Sequence, residues 1–351
     1  MTATSPSYAH LLALTDGTGL FEHAEYTRPR KEHGYCVDDV ARGLVVLSRA
    51  DAGDDTDDTD ADGAAPRSEL TRAARTYLKF IAASQDRSGR VVNRRDVHGV
   101  RHGTFGVEDC WGRALWGLGT AAARSRDPVL SRRSLDRFAV SVRARSPWPH
   151  AMAFAGLGAV EVLRLDPGHA EAAALLQASV ALIPHPAAGR DWPWPWPRLT
   201  YANAVFPDLL MGAGDRLGDD RLITAGLTLL EWLLDLEMTD GRLSVTPVGG
   251  WQPGDRRPGF DQQPIEVAAL ADACARACDL TGDARWSGAV QAAAAWFHGA
   301  NDASTPLYDE ASGGCRDGLE KTGCNENQGA ESTLAMISTL QHARRLAAVH
   351  A

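Results

Sequence analysis

Six short stretches of the chain concentrate carboxylates, amides and aromatic rings. They read Gly34-Tyr35-Cys36-Val37-Asp38-Asp39, Val107-Glu108-Asp109-Cys110-Trp111, Pro147-Trp148-Pro149-His150, Tyr201-Ala202-Asn203, Phe260-Asp261-Gln262-Gln263-Pro264-Ile265-Glu266 and Asn325-Glu326-Asn327-Gln328-Gly329-Ala330-Glu331. Cleavage of a glycosidic bond needs two carboxyl groups, one protonated and one ionised. Crowding and burial can separate the pKa values of neighbouring carboxylates far enough to supply both. The acid, base or nucleophile candidates are therefore Asp38, Asp39, Asp109, Asp261, Glu266, Glu326 and Glu331. Which of them forms the pair stays open at this level, as does inversion against retention.

Amide side chains at Asn203, Gln262, Gln263, Asn325, Asn327 and Gln328 offer the paired donors and acceptors that sugar hydroxyls accept. Tyr35, Glu108, Tyr201, Arg42 and Arg113 complete the polar binding set. The arginines fit an ion-pair role beside the acids at least as well as substrate contact. Asp and Asn at helix starts are also ordinary N-caps. Doubled acids such as Asp38-Asp39 and Glu108-Asp109 exceed what one cap needs. In Trp192-Pro193-Trp194-Pro195-Trp196-Pro197 the prolines hold the chain extended, so Trp194 and Trp196, with Trp111 elsewhere, could stack on pyranose faces. Packing of these rings against the protein itself is the competing reading.

The elements that must carry these stretches are helices. A small-residue set covers Asp38–Ala50, Asp109–Ala123, His150–Leu165, Asn203–Arg216, Pro264–Asp279 and Gln328–Val349. A more amphipathic set covers Ser68–Ser84, Asp127–Arg145, His169–Ile183, Asp219–Glu237 and Ala284–Gly299, with Ser7–Leu14 as a sixth. Short turns such as Leu217-Gly218-Asp219, Thr281-Gly282-Asp283 and Asp166-Pro167-Gly168 join them into hairpins. Six of each set is the count of an all-α (α/α)6 toroid, one catalytic domain over residues 1–351 with small β-hairpins in the loops of one face. In that fold the clusters at the six inner helix starts would converge on one bowl. An internal echo agrees: Asp38-x3-Arg42-Gly43-Leu44-x2-Leu47 returns as Asp109-x3-Arg113-Ala114-Leu115-x2-Leu118. The long connections 85–107, 186–202, 238–263 and 300–327 suit a functional face, with Arg90–Asn93 and Arg242–Val248 as hairpin strands.

Composition narrows the class. A net charge of −9, from 36 Lys+Arg against 45 Asp+Glu, gives no basic grip for nucleic acid. No apolar run reaches membrane-spanning length, and the first residues lack a leader pattern, so a cytoplasmic protein is expected. Six cysteines without a CxxC pair fit neither a disulfide scaffold nor a standard zinc site, and no cofactor is called for. Residues 51–66 read as a flexible acidic insert. The spacing Asp58-x-Asp60-x-Asp62-Gly63-x5-Glu69 within and after it also meets a calcium-loop pattern, which so Asp-rich a tract satisfies cheaply.

The series HGYCVDDVARGL, DCWGRALWGLG, RLTYAN, FDQQPIE and NENQGAEST, spread over nearly the whole chain, resembles a bacterial family of six-hairpin toroid proteins described as glycosidase-like or glycosyltransferase-associated. The resemblance implies an (α/α)6 fold and carbohydrate chemistry. Asp38-Asp39 is also similar to the adjacent Asp pair of α-mannanases of that fold, where both acids act. A glycoside hydrolase acting on an oligosaccharide is the expected function. A phosphorylase would need a phosphate cluster, for which Arg42, Arg113, Arg198 and Arg316 are available. An epimerase or lyase would use His or Tyr bases, and only His33, His150 and Tyr201 lie near the motifs. A non-catalytic carbohydrate-binding module would keep the Trp and amide residues without needing so many acids.

Overall fold

The computed structural model describes residues 5–52, 65–184 and 191–349. The insert and its calcium-like spacing lie outside the described residues, apart from the flanks of the tract and Glu69 in a helical first turn. Two compact units divide the chain. The first comprises Ser7–Leu182 with Arg216–Gly218, and the second Met1–Pro6, Ile183–Asp215 and Asp219–Ala351.

In the first unit α1 is Ala9–Ala13, followed by β1 (Ala24–Glu25), β2 (Arg28–Pro29), a 3-10 turn at Lys31–His33, and β3 (Tyr35–Cys36). Then come α2 (Val37–Ala52), α3 (Arg67–Ser84), β4 (Arg94–Arg95), β5 (Arg101–His102), α4 (Asp109–Arg124), α5 (Pro128–Ser141), α6 (Pro149–Leu165) and α7 (Ala170–Val180). The small-residue helices α2, α4 and α6 pack side by side, and α3, α5 and α7 each pack on the helix before them. Backbone contact explains the small residues. A Cβ at Gly112 would lie 2.1 Å from the Ala151 carbonyl, and one at Gly119 would lie 2.2 Å from that of Gly158. The two contacts share one sequence offset, so α4 and α6 run parallel. Gly117 against Ala41 and Arg113 against Asp38 align α2 with α4 in the same sense.

The second unit holds α8 (Val205–Leu217), α9 (Asp220–Glu237), β6 (Met238–Thr239), β7 (Arg242–Leu243), α10 (Pro264–Thr281) and α11 (Ala284–Phe297). Four short strands follow, β8 (Tyr308–Asp309), β9 (Gly314–Cys315), β10 (Gly318–Glu320) and β11 (Gly323–Asn325), and then α12 (Ala330–Val349). Asp208–Arg276 ties α8 to α10, while His342–Asp272 and Arg345–Asp279 tie α12 to α10 in parallel register. Gly282, in the left-handed conformation, ends α10, and Asp283 caps α11.

Several boundaries differ from expectation. The expected helix Ser7–Leu14 is a single five-residue turn. Asn203 and Gln328 precede α8 and α12 instead of opening them. The strand expected at Arg90–Asn93 lies just beyond it, at Arg94–Arg95; within 90–93 Val91 bridges to Gln85 and Gly106, and the Asn93 carbonyl accepts from the Val37 amide.

The glycine contacts make a direct prediction. Gly119→Ala forces backbone apart and should cost about 1–3 kcal/mol, read as a lower urea midpoint. Gly288→Ala, exposed in α11 with open space around it, should instead stabilise by about 0.5–1 kcal/mol. Equal effects at the two positions would remove the packing account.

Candidate active site

Two classes of helix start are present. The amphipathic helices α5, α7, α9 and α11 are capped by the side chains of Asp127, His169, Asp219 and Asp283. At the small-residue helices α4, α6 and α10 the N-cap positions are Glu108, Trp148 and Gln263, and none makes a side-chain cap bond. The acids at these starts are engaged elsewhere.

In the first unit they meet arginines. Asp38, in the first turn of α2, accepts from Arg113 Nη1 at 2.8 Å and from Asn93 Nδ2 at 2.8 Å. Asp109, first residue of α4, lies 3.5 Å from Arg113 Nη2, so the two carboxylates share one guanidinium. The same guanidinium stacks 4.6 Å over the Phe154 ring of α6. Asp39 pairs with Arg42 and accepts from the Cys36 thiol at 3.1 Å. The side chains of Asp38 and Asp109 remain 17% and 23% exposed, whereas Asp39 is buried. Burial raises the Asp38 pKa, but Arg113 and Arg42, with the Arg113 and Asn93 hydrogen bonds, outweigh it, leaving the net below the ordinary value. Asp38 is therefore an ionised, half-open carboxylate. Glu108, next to Asp109 in sequence, is exposed.

Asn93 carries no mark in the sequence as a site residue. Antiparallel pairing of β3 with β4 brings it to Val37, whose amide donates to its Oδ1 at 3.0 Å while its Nδ2 reaches Asp38. Glu22, Cys36 and Asp39 place three ligand-type atoms within 4.8 Å of one another. Glu22 is engaged by Arg94 and Asp39 by Arg42, and burial with the Asp39 and Asp38 charges pushes the Cys36 thiol well above its ordinary pKa. A protonated thiol between two committed carboxylates is a poor cation ligand.

The second unit holds a different acid. Glu266, in the first turn of α10, is buried and accepts from the Ala202 amide, the Asn203 amide and Asn203 Nδ2. Burial and then repulsion from Glu237 push its pKa up to about 8, against the pull of those donors. Glu237 is likewise buried and raised, held by Thr246. Ala202 sits at φ 44°, a conformation that Glu266 fixes through its amide.

The remaining expected residues divide by burial. Tyr35 is buried, stacks on Phe21 and donates to Asp16 at 2.7 Å. Trp111 is fully buried in α4, and Trp194 is buried against Trp232 and Phe206. Trp196 is half-buried against Phe206. Asn203 spends its amide on Thr200 and Glu266; Gln262 spends its own on Gly259, Asp302 and Trp296; Gln328 spends its own on Asp309 and Ser312. These side chains pack and brace, because their faces or polar atoms are already occupied within the protein. Tyr201, Asp261, Asn325 and Glu326 are exposed, and Gln263, Asn327 and Glu331 are half-buried. Asn325 Oδ1 accepts from the Asn327 amide in the turn before α12.

Comparison with known proteins supports the architecture. The chain is similar to a sugar epimerase from a ruminal bacterium (TM-score 0.70, 14% identity, 98% of this chain and 97% of that one). It is similar to cellobiose 2-epimerase from Spirochaeta thermophila (TM-score 0.69, 13% identity, 97% and 94%). A GH76 α-mannanase from Bacteroides thetaiotaomicron also matches (TM-score 0.62, 10% identity, 94% and 90%). The fold is therefore the all-α (α/α)6 toroid class. No protein-family model matches the chain, and no curated protein matches it in sequence. No described helix is long and apolar enough to cross a membrane.

Glu266 gives a pH prediction. A folded pKa above the unfolded one favours folding fully below the unfolded value of about 4.3, and that advantage disappears as pH rises through about 8. The urea midpoint should fall between pH 5 and pH 8, and Glu266→Gln, which cannot titrate, should flatten that fall. An unchanged slope in the variant would assign the pH dependence to other groups.

Proposed function

We propose that the chain is a glycoside hydrolase acting on an oligosaccharide, with its chemistry at the Asp38–Arg113–Asp109 cluster. The observation that supports this is a carboxylate kept ionised by a shared guanidinium while its side chain stays partly exposed, at 17%. Asp38 is the base or nucleophile, and Asp109, held by Arg113 only at 3.5 Å and flanked by Glu108, is the group that takes up a proton as substrate binds and then donates it. Asp39, buried against Arg42 and Cys36, holds the start of α2 in place.

A second reading is supported by the structural neighbours named as sugar epimerases, which align over more of the chain than the α-mannanase. Proton transfer beside a carbonyl carbon would then fall to Asp38 and to His150, half-buried in the first turn of α6.

The test is a panel of α- and β-linked gluco-, manno- and galacto-disaccharides in deuterated water, with products followed by chromatography and mass. Hydrolysis should release monosaccharides without deuterium on carbon, and Asp38→Asn or Asp109→Asn should lower kcat by about 10³-fold or more. Glu326→Gln should stay near wild type. Interconversion of epimers with deuterium at C2 would replace the hydrolase reading by the second one. Turnover that survives in both Asp variants would remove the cluster from the chemistry.

A further inference from the structure

The ten tryptophans of the chain are almost all covered, and Trp148 is the exception at 58% exposed. Trp111, Trp194, Trp286 and Trp296 are buried, and Trp116, Trp192, Trp196, Trp232 and Trp251 are half-buried. An indole offers two large apolar faces that gain more from being covered than most side chains do, and Trp148 leaves them open. Trp148 is also held rigidly. It stands between Pro147 and Pro149 at the N-cap of α6, in extended backbone at φ −92° and ψ 122°, with its amide on Ser146 Oγ at 3.1 Å. A ring on so constrained a backbone loses little conformational entropy when it binds something.

Its position follows from helix register. Gly112 meets Ala151 and Gly119 meets Gly158 in parallel packing of α4 on α6. The same offset carries Trp148 level with Asp109, and thus about one turn outward of Arg113 and Asp38. An open aromatic face therefore stands on the same rim as the two half-open carboxylates.

We infer that Trp148 is a stacking platform for one pyranose ring of the substrate, holding it by its axial C–H face. The ligand class, a pyranose oligosaccharide, rests on the proposed function; the platform itself rests on exposure, rigidity and register. A flat apolar face selects sugars that present axial hydrogens on one side and gives nothing to open-chain polyols.

The test uses protein labelled with 5-fluorotryptophan, the Trp148 line being assigned by its loss in Trp148→Phe. Cellobiose, β-1,4-mannobiose and α-1,6-mannobiose are the probes, with glucitol as the open-chain control. At least one disaccharide should shift the Trp148 line saturably while glucitol does not. Trp148→Ala should weaken that disaccharide at least tenfold by calorimetry, and Trp148→Phe less than threefold. A line that no disaccharide moves overturns the platform, and so does a disaccharide bound or cleaved with the line unmoved. A line that moves without any turnover leaves the platform standing and sinks the hydrolase reading instead.

Discussion

Arg113 is the residue around which the first unit's helix starts are organised. Its guanidinium lies between α2 and α6 while rooted in α4, pairing with Asp38 and Asp109 and stacking on Phe154. A guanidinium remains charged at every relevant pH and presents a rigid fork, so it holds Asp38 ionised and fixes the direction of its carboxylates. A lysine would supply the charge without the fork or the flat stacking face. Close packing of α2, α4 and α6 through Gly112, Gly117 and Gly119 is what brings three helix starts within reach of one side chain.

Each unit treats its buried acids differently. Asp38 has arginine counter-charges and stays ionised, whereas Glu266 has only backbone and amide donors and is driven toward the neutral form. Burial, helped by repulsion from Glu237, sets the direction in the second case; a full counter-charge reverses it in the first. The shapes differ as well. Asp38 keeps an open edge, while Glu266 is enclosed and uses its oxygens to hold the Ala202–Asn203 turn.

The alternation of small-residue and amphipathic helices could be read from composition and spacing, because close helix contact demands glycine and alanine at regular intervals. The acids at helix starts were also visible, and the repeated Asp-x3-Arg pattern marked α2 and α4 as equivalent. That pattern suggests pairing within each helix; in the fold Asp38 reaches across to Arg113. Local spacing cannot foresee a partner from a neighbouring helix. Asn93 was invisible for the same reason, since only strand pairing brings it to Asp38. Residue type misleads at Asn203, Gln262 and Gln328, where amides suited to a ligand are consumed by loops. Trp194 shows the same for aromatics: its neighbour Trp232 already occupies the face that a sugar would use.

The shared guanidinium also leaves an imbalance. Asp38, Asp39 and Asp109 set three negative charges against the two positive charges of Arg42 and Arg113, with exposed Glu108 adding a fourth. The local potential at this rim is therefore negative, and screening reduces it only at distances beyond about 8–10 Å. At the proposed site a phosphorylated sugar or a uronic acid would meet repulsion from these carboxylates, while a neutral glycan would not. Charge state, before any hydroxyl is recognised, would thus be the first filter of the proposed glycan site.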